Sequence, residues 1–377
     1  MRPADLDAAI GFLCEADRLK SVRRANVLMD LSRPENSAEH SWHVALLALL
    51  CGAGDRAIAM ILLHDLVEID TGDQPIHLDH DAPALAAAED RAAARLFGMA
   101  PGGDALAALW RVFEAHGDAD AVLAKRMDHV QPIFQVLLSP RPIPDHVAIV
   151  RDNLDRGRAA RMASEWPDAV DAARALMRGD RPAGPIAPAL ALMAEADRLK
   201  SVLRASRLID NSRRENSAEH SWHLGLYALV LAPLAGPGVD VGRVIRMLLI
   251  HDLVEIDVGD VPLHAANGTA HAAPERQAAE DRAARRLFGL LPPAQGDGLL
   301  ALWREFEAAQ SPDAVFAKGL DRCQPAIQNL MGGGRGWVEF DVGLTQVQDR
   351  VGPAVRAASG PLWAWLDDRL QRHFAPA

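Results

Sequence analysis

Histidine and carboxylate recur along this chain in an order that could hold a metal ion. His40 is followed by the adjacent pair His64-Asp65 and then by Asp128, and the same types return as His220, His251-Asp252 and Asp321. Two imidazoles and two carboxylates from separate segments suit a divalent transition metal that keeps open positions for water and substrate. The His64-Asp65 pair lies inside the apolar run AIAMILLHDLVEI. A bare carboxylate is too costly to bury there, so the pair must be ligated, protonated or hydrogen-bonded. A His-Asp pair that only stabilises a helix bundle is the competing reading; the second occurrence of all four residue types favours a metal.

The neighbouring residues add acid/base and anion-binding chemistry. Glu68 follows His64 by four positions and Asp65 by three, and Glu255 stands in the same relation to His251-Asp252. On a helix this spacing puts all three on one face. A carboxylate beside a metal but not bound to it is the usual acid or base, the alternative being a solvated glutamate at a helix end. Asp73 and Asp260 follow glycine in TGD and VGD, where turn chemistry alone would account for them. Arg24 and Arg204 lie four residues after Lys20 and Lys200, and Lys125 and Lys318 precede Asp128 and Asp321 by three. Cations on these faces point to an anionic substrate, most simply a phosphate, or else to solvated charge pairs. His43 and His223, one turn after His40 and His220, read as supporting or packed residues. His77 and His264 are conceivable substrate or second-metal groups. His116 aligns with Ala309 and His80 has no clear counterpart, so one metal per half is expected.

The elements that must position these residues are themselves duplicated. Residues 15–49 and 195–229 are identical at 26 of 35 positions, and HDLVEID at 64–70 returns at 251–257. Only four of the 40 basic residues are lysines, and all four fall on paired positions, which is hard to attribute to chance in an arginine-using chain. GDRPAGPIAP, 179–188, is rich in helix breakers and marks the boundary. The expected organisation is a first domain over 1–180, a linker over 181–188 and a second domain over 189–377. Segments 5–31, 37–51, 57–69, 85–96 and 119–138 carry apolar residues at i, i+3, i+4 spacing. Asn36 with Glu39 reads as a capping box. No alternating strand pattern or hairpin dipeptide stands out, so the fold class is all-α. The copies part after Pro132 and Pro325: the first continues through SPRPIP into a charged helical stretch, the second through GGGRGW, read as a flexible loop near a site.

Composition narrows the function classes. In 377 residues, a hydrophobic fraction of 49% supports a large core, and a net charge of −11 argues against bulk nucleic-acid binding. Cys14, Cys51 and Cys323 show no CxxC spacing, hence no disulfide framework or thiolate metal site. The opening MRPADLDAAI has no apolar signal core, and no apolar run reaches the length of a membrane span. A cytoplasmic protein without membrane partners is expected.

With AEHSWH and HDLVEIDTGD as local sequence and KRMD completing the set, each half resembles the HD-domain metal-dependent phosphohydrolase superfamily. Within it the likeness is to the 5′-deoxynucleotidase-like branch, whose pattern is roughly AEHS, HDxxExxxGD and KxxD. The resemblance spans about residues 12–135 and 192–330. It implies two tandem helical HD bundles, with a divalent transition metal (Mn, Co, Fe, Ni or Zn) held by His40, His64, Asp65 and Asp128, and again by His220, His251, Asp252 and Asp321. It further implies catalytic roles for Glu68 and Glu255, nucleotide or water contact by Asp73 and Asp260, and phosphate contact by Arg24 and Arg204, to which the charge pattern adds Lys125 and Lys318. The expected activity is release of phosphate from a small phosphate ester such as a nucleoside 5′-monophosphate. Phosphodiesterase, nucleoside triphosphohydrolase and non-catalytic metal- and nucleotide-binding functions are the alternatives. One departure limits the likeness: the branch places Gly-Trp two and three positions after the helix-1 arginine, whereas Asn26-Val27 and Ser206-Arg207 stand here. The halves are expected to pack face to face through apolar helices as a pseudo-dimer, with both sites binding metal and the C-terminal one turning over faster.

Overall fold

Asn36 opens the helix that carries His40. Its side chain accepts a hydrogen bond from the Glu39 backbone N–H at 3.0 Å, while the Glu39 carboxylate accepts the Asn36 N–H at 2.8 Å. Asn216 and Glu219 repeat this box in the second half. Each box satisfies donors that a helix start leaves orphaned, and so fixes where the helix begins.

The computed structural model describes residues 1–75, 80–263 and 273–375. The first repeat runs α1 (Pro3–Ala16), β1 (Arg23–Val27), β2 (Pro34–Asn36), α2 (Ser37–Leu50), α3 (Asp55–Leu63), α4 (Glu68–Thr71), α5 (Ala82–Phe97), α6 (Gly103–Glu114) and α7 (Ala119–Leu137). Three helices specific to this half follow: α8 (Pro144–Asp155), α9 (Met162–Glu165) and α10 (Pro167–Met177). The second repeat returns the order as α11 (Ala187–Ala196), β3 (Leu203–Arg207), β4 (Arg214–Asn216), α12 (Ser217–Val230), α13 (Val241–Ile250), α14 (Glu255–Val258), α15 (Pro274–Phe288), α16 (Pro293–Ala308) and α17 (Pro312–Met331). It closes with α18 (Arg335–Glu339), α19 (Leu344–Ala358) and α20 (Gly360–His373). The fold is all-α. No helix among the described residues is long and apolar enough to cross a membrane.

The structure corrects three local expectations. Residues 5–31 are not one helix: α1 passes into a 3-10 turn at Asp17–Ser21, and β1 then pairs antiparallel with β2 across Arg23↔Asn36 and Val27↔Pro34. The chain reverses at Leu31, which takes a positive φ of 65°, beside an Asx turn in which Asp30 accepts the Ser32 N–H. That hairpin lets Asp17 and Lys20 be buried on one side while Arg24 turns into the site. Residues 57–69 are likewise interrupted, by a 3-10 turn at His64–Val67. The His64 ring donates to the Ile61 carbonyl at 2.7 Å, and the His64 carbonyl accepts the Trp110 indole N–H at 3.2 Å. Side chains thus take the bonds of the α-helical ladder at the break. GGGRGW is no loose loop either: Gly333 and Gly334 turn at φ 75° and 77° and launch α18, which buries Trp337.

The core is continuous across the repeats. Helix α2 packs on α12 and α13, and α12 on α3. Trp42 donates its indole N–H to the Leu249 carbonyl at 3.0 Å and Trp222 donates to Leu62 at 3.1 Å, so each large aromatic is buried with its one polar atom satisfied by the opposite repeat.

Candidate functional site

In the first repeat, α2 supplies His40, the 3-10 turn supplies His64 and Asp65, and α7 supplies Asp128. His40 Nε2 lies 3.1 Å from Asp128 Oδ1 and 3.9 Å from Asp65 Oδ2. His64 Nε2 lies 3.1 Å from Asp65 Oδ1 and 3.5 Å from Asp128 Oδ1. In the second repeat His220 Nε2 is 3.3 Å from Asp321, and His251 Nε2 is 3.0 Å from Asp252 and 3.8 Å from Asp321. All eight residues proposed as ligands therefore converge in two groups of four.

Hydrogen bonds behind the rings decide which nitrogen faces the centre. His40 Nδ1 donates to Gln131 Oε1 at 2.9 Å, and His64 Nδ1 donates to a backbone carbonyl. Gln324 and the Leu248 carbonyl do the same for His220 and His251, at 3.1 and 2.8 Å. With Nδ1 committed as donor, Nε2 keeps its lone pair for a ligand. Nε2 of His64 and of His251 are buried with no hydrogen-bond partner. An orphaned imidazole nitrogen flanked by two carboxylates is what a cation site requires, and the grouping His40, His64, Asp65 with its twin His220, His251, Asp252 can hold a metal ion. Burial opposes the charged form of Asp128, but the His40 and His64 rings beside it hold it well below the usual carboxylate range, ready to ligate.

Arg24 crosses above this centre, with its guanidinium 3.0 Å from Asp65, 3.5 Å from Glu68 and 3.4 Å from Asp73. Arg204 sits 2.6 Å from Asp252, 3.9 Å from Glu255 and 3.8 Å from Asp260. Glu68 accepts the Ser37 hydroxyl at 2.5 Å, as Glu255 accepts that of Ser217. Burial, with Asp65 nearby, pushes the Glu68 carboxyl up to about 8 against the opposing pull of Arg24, and Glu255 is likewise raised. Lys125 and Lys318 also line the two cavities, each paired to a glutamate (Glu114 at 2.9 Å, Glu307 at 3.0 Å) and seated over a phenylalanine ring. His77 and His264 lie outside the described residues. His80 lines the first cavity and hydrogen-bonds the Pro75 carbonyl.

Lys20 and Lys200 do not face the centres on their own side. Lys200 Nζ donates to Asp197 at 2.7 Å, and across the repeats to Glu35 at 2.7 Å and Gln135 at 3.0 Å, with His43 Nδ1 also 3.0 Å away. Lys20 mirrors it on Asp17 at 2.5 Å, Glu215 at 2.6 Å and His223 at 2.9 Å. Asp17, Glu215 and His223 have the makings of a third cation group, but the Lys20 ammonium fills it. A compact ammonium with three donors fits such a slot where a planar guanidinium would not, which accounts for the two retained lysines. His43 is consequently a packing residue: its Nε2 donates to the Met193 carbonyl, and burial with Lys200 drives its pKa to about 3.

Glu35 and Glu215 were not singled out by the sequence. Both are fully buried and stand between a centre and the opposite repeat: Glu35 is 3.8 Å from His40 Nδ1, and Glu215 is 3.4 Å from His220 Nδ1. Gln131 and Gln324 were visible only as repeat matches. The readable signal was polar identity at paired positions, since every one of these residues recurs in both copies.

A family model described as HD domain matches residues 16–169 and 196–363. The human 5′-deoxynucleotidase HDDC2 is 30% identical over 131 residues, covering 34% of this chain and 61% of that protein. The 5′-deoxynucleotidase hdd1 of Schizosaccharomyces pombe is 24% identical over 132 residues, 35% of this chain and 65% of that one. The chain thus spans less than two thirds of the length of these curated relatives. A solved structure described as a predicted metal-dependent phosphohydrolase from Magnetospirillum magnetotacticum MS-1 shares 43% identity, with a TM-score of 0.46, over 51% of this chain and 98% of its own.

Proposed function

Because the chain belongs to the HD domain family in both of its repeats, we propose that it is a metal-dependent phosphohydrolase with two centres in one polypeptide, acting on a small phosphate ester such as a nucleoside 5′-monophosphate. The observation that carries this reading is the pair of buried, unpartnered Nε2 atoms of His64 and His251, each facing two carboxylates. The names of the relatives point the same way. His40, His64, Asp65 and Asp128 would hold one divalent ion, and His220, His251, Asp252 and Asp321 another. Such an ion acidifies water and neutralises phosphoryl charge.

The remaining work falls to this chain's own residues. Hydrolysis joins the water oxygen to phosphorus, breaks the ester P–O bond, and passes one proton from water to the departing alkoxide. Glu68, oriented by Ser37 and poised near neutrality, takes that proton and can return it. Arg24, now divided among three carboxylates, has the fork geometry to grip phosphate oxygens in line with the water. Lys125, on its aromatic seat, adds a cation to the wall. Asp73 accepts the Ala25 backbone N–H at 3.2 Å and so steadies the strand that delivers Arg24. The roles of Glu68, Arg24 and Lys125 have their twins in Glu255, Arg204 and Lys318, and Asp260 stands 3.8 Å from Arg204. The two halves are a fused pseudo-dimer in this reading.

The double variant Glu68→Gln, Glu255→Gln keeps side-chain volume and removes the titrating group. Phosphate release from a nucleoside monophosphate panel with added Mn²⁺ or Co²⁺ should fall roughly a hundredfold or more, with metal content unchanged. Wild-type turnover in a variant that still holds its ions would overturn the acid/base assignment. A wild-type preference for diesters or triphosphates on the same panel would replace the monoester reading.

A further inference from the structure

The two centres lie beneath different walls. The first cavity is about 680 Å³ and the second about 240 Å³. In the second, most charges cancel locally: Lys318 pairs with Glu307 at 3.0 Å, Arg276 with Glu280 at 2.7 Å, and Arg204 with the acidic cluster at the floor. Two guanidiniums remain. Arg322, on α17 one residue past Asp321, and Arg350, on α19, both line this cavity, and neither makes a hydrogen bond or close ion pair with another described residue, although the Arg322 charge acts at longer range on Asp321. Arg350 Nη1 is shielded from water with no partner at all. An arginine that stays charged and lacks a partner under such cover is an anion subsite in want of its anion.

Among its described lining residues the first cavity has nothing equivalent. Arg322 is matched in the repeat by His129, and α8 lines that wall with His146, Ile149, Val150 and Asn153. Its two strong bases among the described lining residues, Arg24 and Lys125, are both already paired with carboxylates.

Building on the phosphohydrolase reading, we infer that Arg322 and Arg350 form a second-phosphate subsite, so that the C-terminal site takes a doubly phosphorylated nucleotide while the N-terminal site takes a singly phosphorylated one. One phosphate lies at the metal-ligand centre and the other between the two guanidiniums. Bidentate pairing to a phosphate is the interaction arginine makes best. Trp337 and Phe340 complete the same wall and offer apolar surface to the rest of the ligand.

Calorimetric titration of the full chain tests this with three probes: adenosine 5′-monophosphate, adenosine 5′-diphosphate and adenosine 3′,5′-bisphosphate. One of the two doubly phosphorylated probes should bind about tenfold or more tightly than the monophosphate at one site per chain, and which one does so gives the spacing of the phosphates. Arg350→Met should abolish that preference and leave monophosphate affinity within about twofold. Arg322→His, which installs the first repeat's residue, should weaken the preferred probe in the same sense. Equal affinity for all three probes, or an equal loss for all three in Arg350→Met, would overturn the subsite. Since the readout is binding, selective capture without turnover would sink the hydrolase reading alone. Monophosphate hydrolysis without selectivity would sink the subsite alone.

Discussion

The floors of the two sites are near copies, and their walls are not. His40, His64, Asp65 and Asp128 superpose in role on His220, His251, Asp252 and Asp321, down to the glutamine and backbone carbonyl that fix each tautomer. Above them one cavity is wide and lined by histidine and asparagine, the other narrow and lined by arginine and tryptophan. The difference teaches where duplication is free to drift. A ligand set tolerates no change because each member completes a coordination geometry and neutralises its neighbours. A wall residue meets only substrate, and the two walls are built by unmatched helices, α8 in the first half and α19 in the second.

The sharpest test of the matched floors is metal content. His64→Ala and His251→Ala should each lower bound transition metal from about two ions per chain to about one, as measured by elemental analysis, since losing an imidazole nitrogen removes one of four N/O ligands. If one substitution removed both ions or neither, the equivalence of the floors would break.

The buried lysines test whether the halves support one another equally. Lys200→Met and Lys20→Met each strand carboxylates under full burial, and urea denaturation should show a loss of about 3–5 kcal/mol for either. Despite burial, Lys200 holds Glu35 and Asp197 below their ordinary values, and Lys20 does so for Glu215. A carboxylate with a depressed folded-state pKa contributes stability above its unfolded pKa, about 4 to 4.5, and loses it as pH falls through the folded value. Wild type should therefore weaken on acidification below that range, and each methionine variant should weaken less steeply. A stability loss confined to one lysine would show that the interface, like the walls, has drifted.

The smallest expected effect sharpens the contrast in the walls. Asp65→Ala and Asp252→Ala silence one centre each, and steady-state phosphate release from a doubly phosphorylated nucleotide should fall further for Asp252→Ala, by a factor of a few, because the smaller C-terminal cavity with Arg322 and Arg350 holds that substrate in line. Equal losses near one half would mean that fusion merely linked two equivalent sites.

Much of this was legible in the chain itself, and the reason is locality. Helix starts such as Asn36 are set by a capping residue and its partner three positions on, and amphipathic spacing sets the helices that follow, so neither needs distant information. The ligand set was legible because duplication printed it twice. What the sequence could not decide was which long-range partner each buried charge would find. Lys20 and Arg24 stand four apart on paper, yet a hairpin sends Arg24 to its own centre and Lys20 to Glu215, 195 positions away. The breaks at Ser21 and His64 draw on distant partners as well: Arg213 of the opposite repeat bonds the Lys20 carbonyl and Trp110 bonds that of His64, where a continuous helix would have drawn these bonds from itself. Periodicity encodes a face to be buried. Only packing decides what that face is buried against, and with it which cations remain free for a ligand.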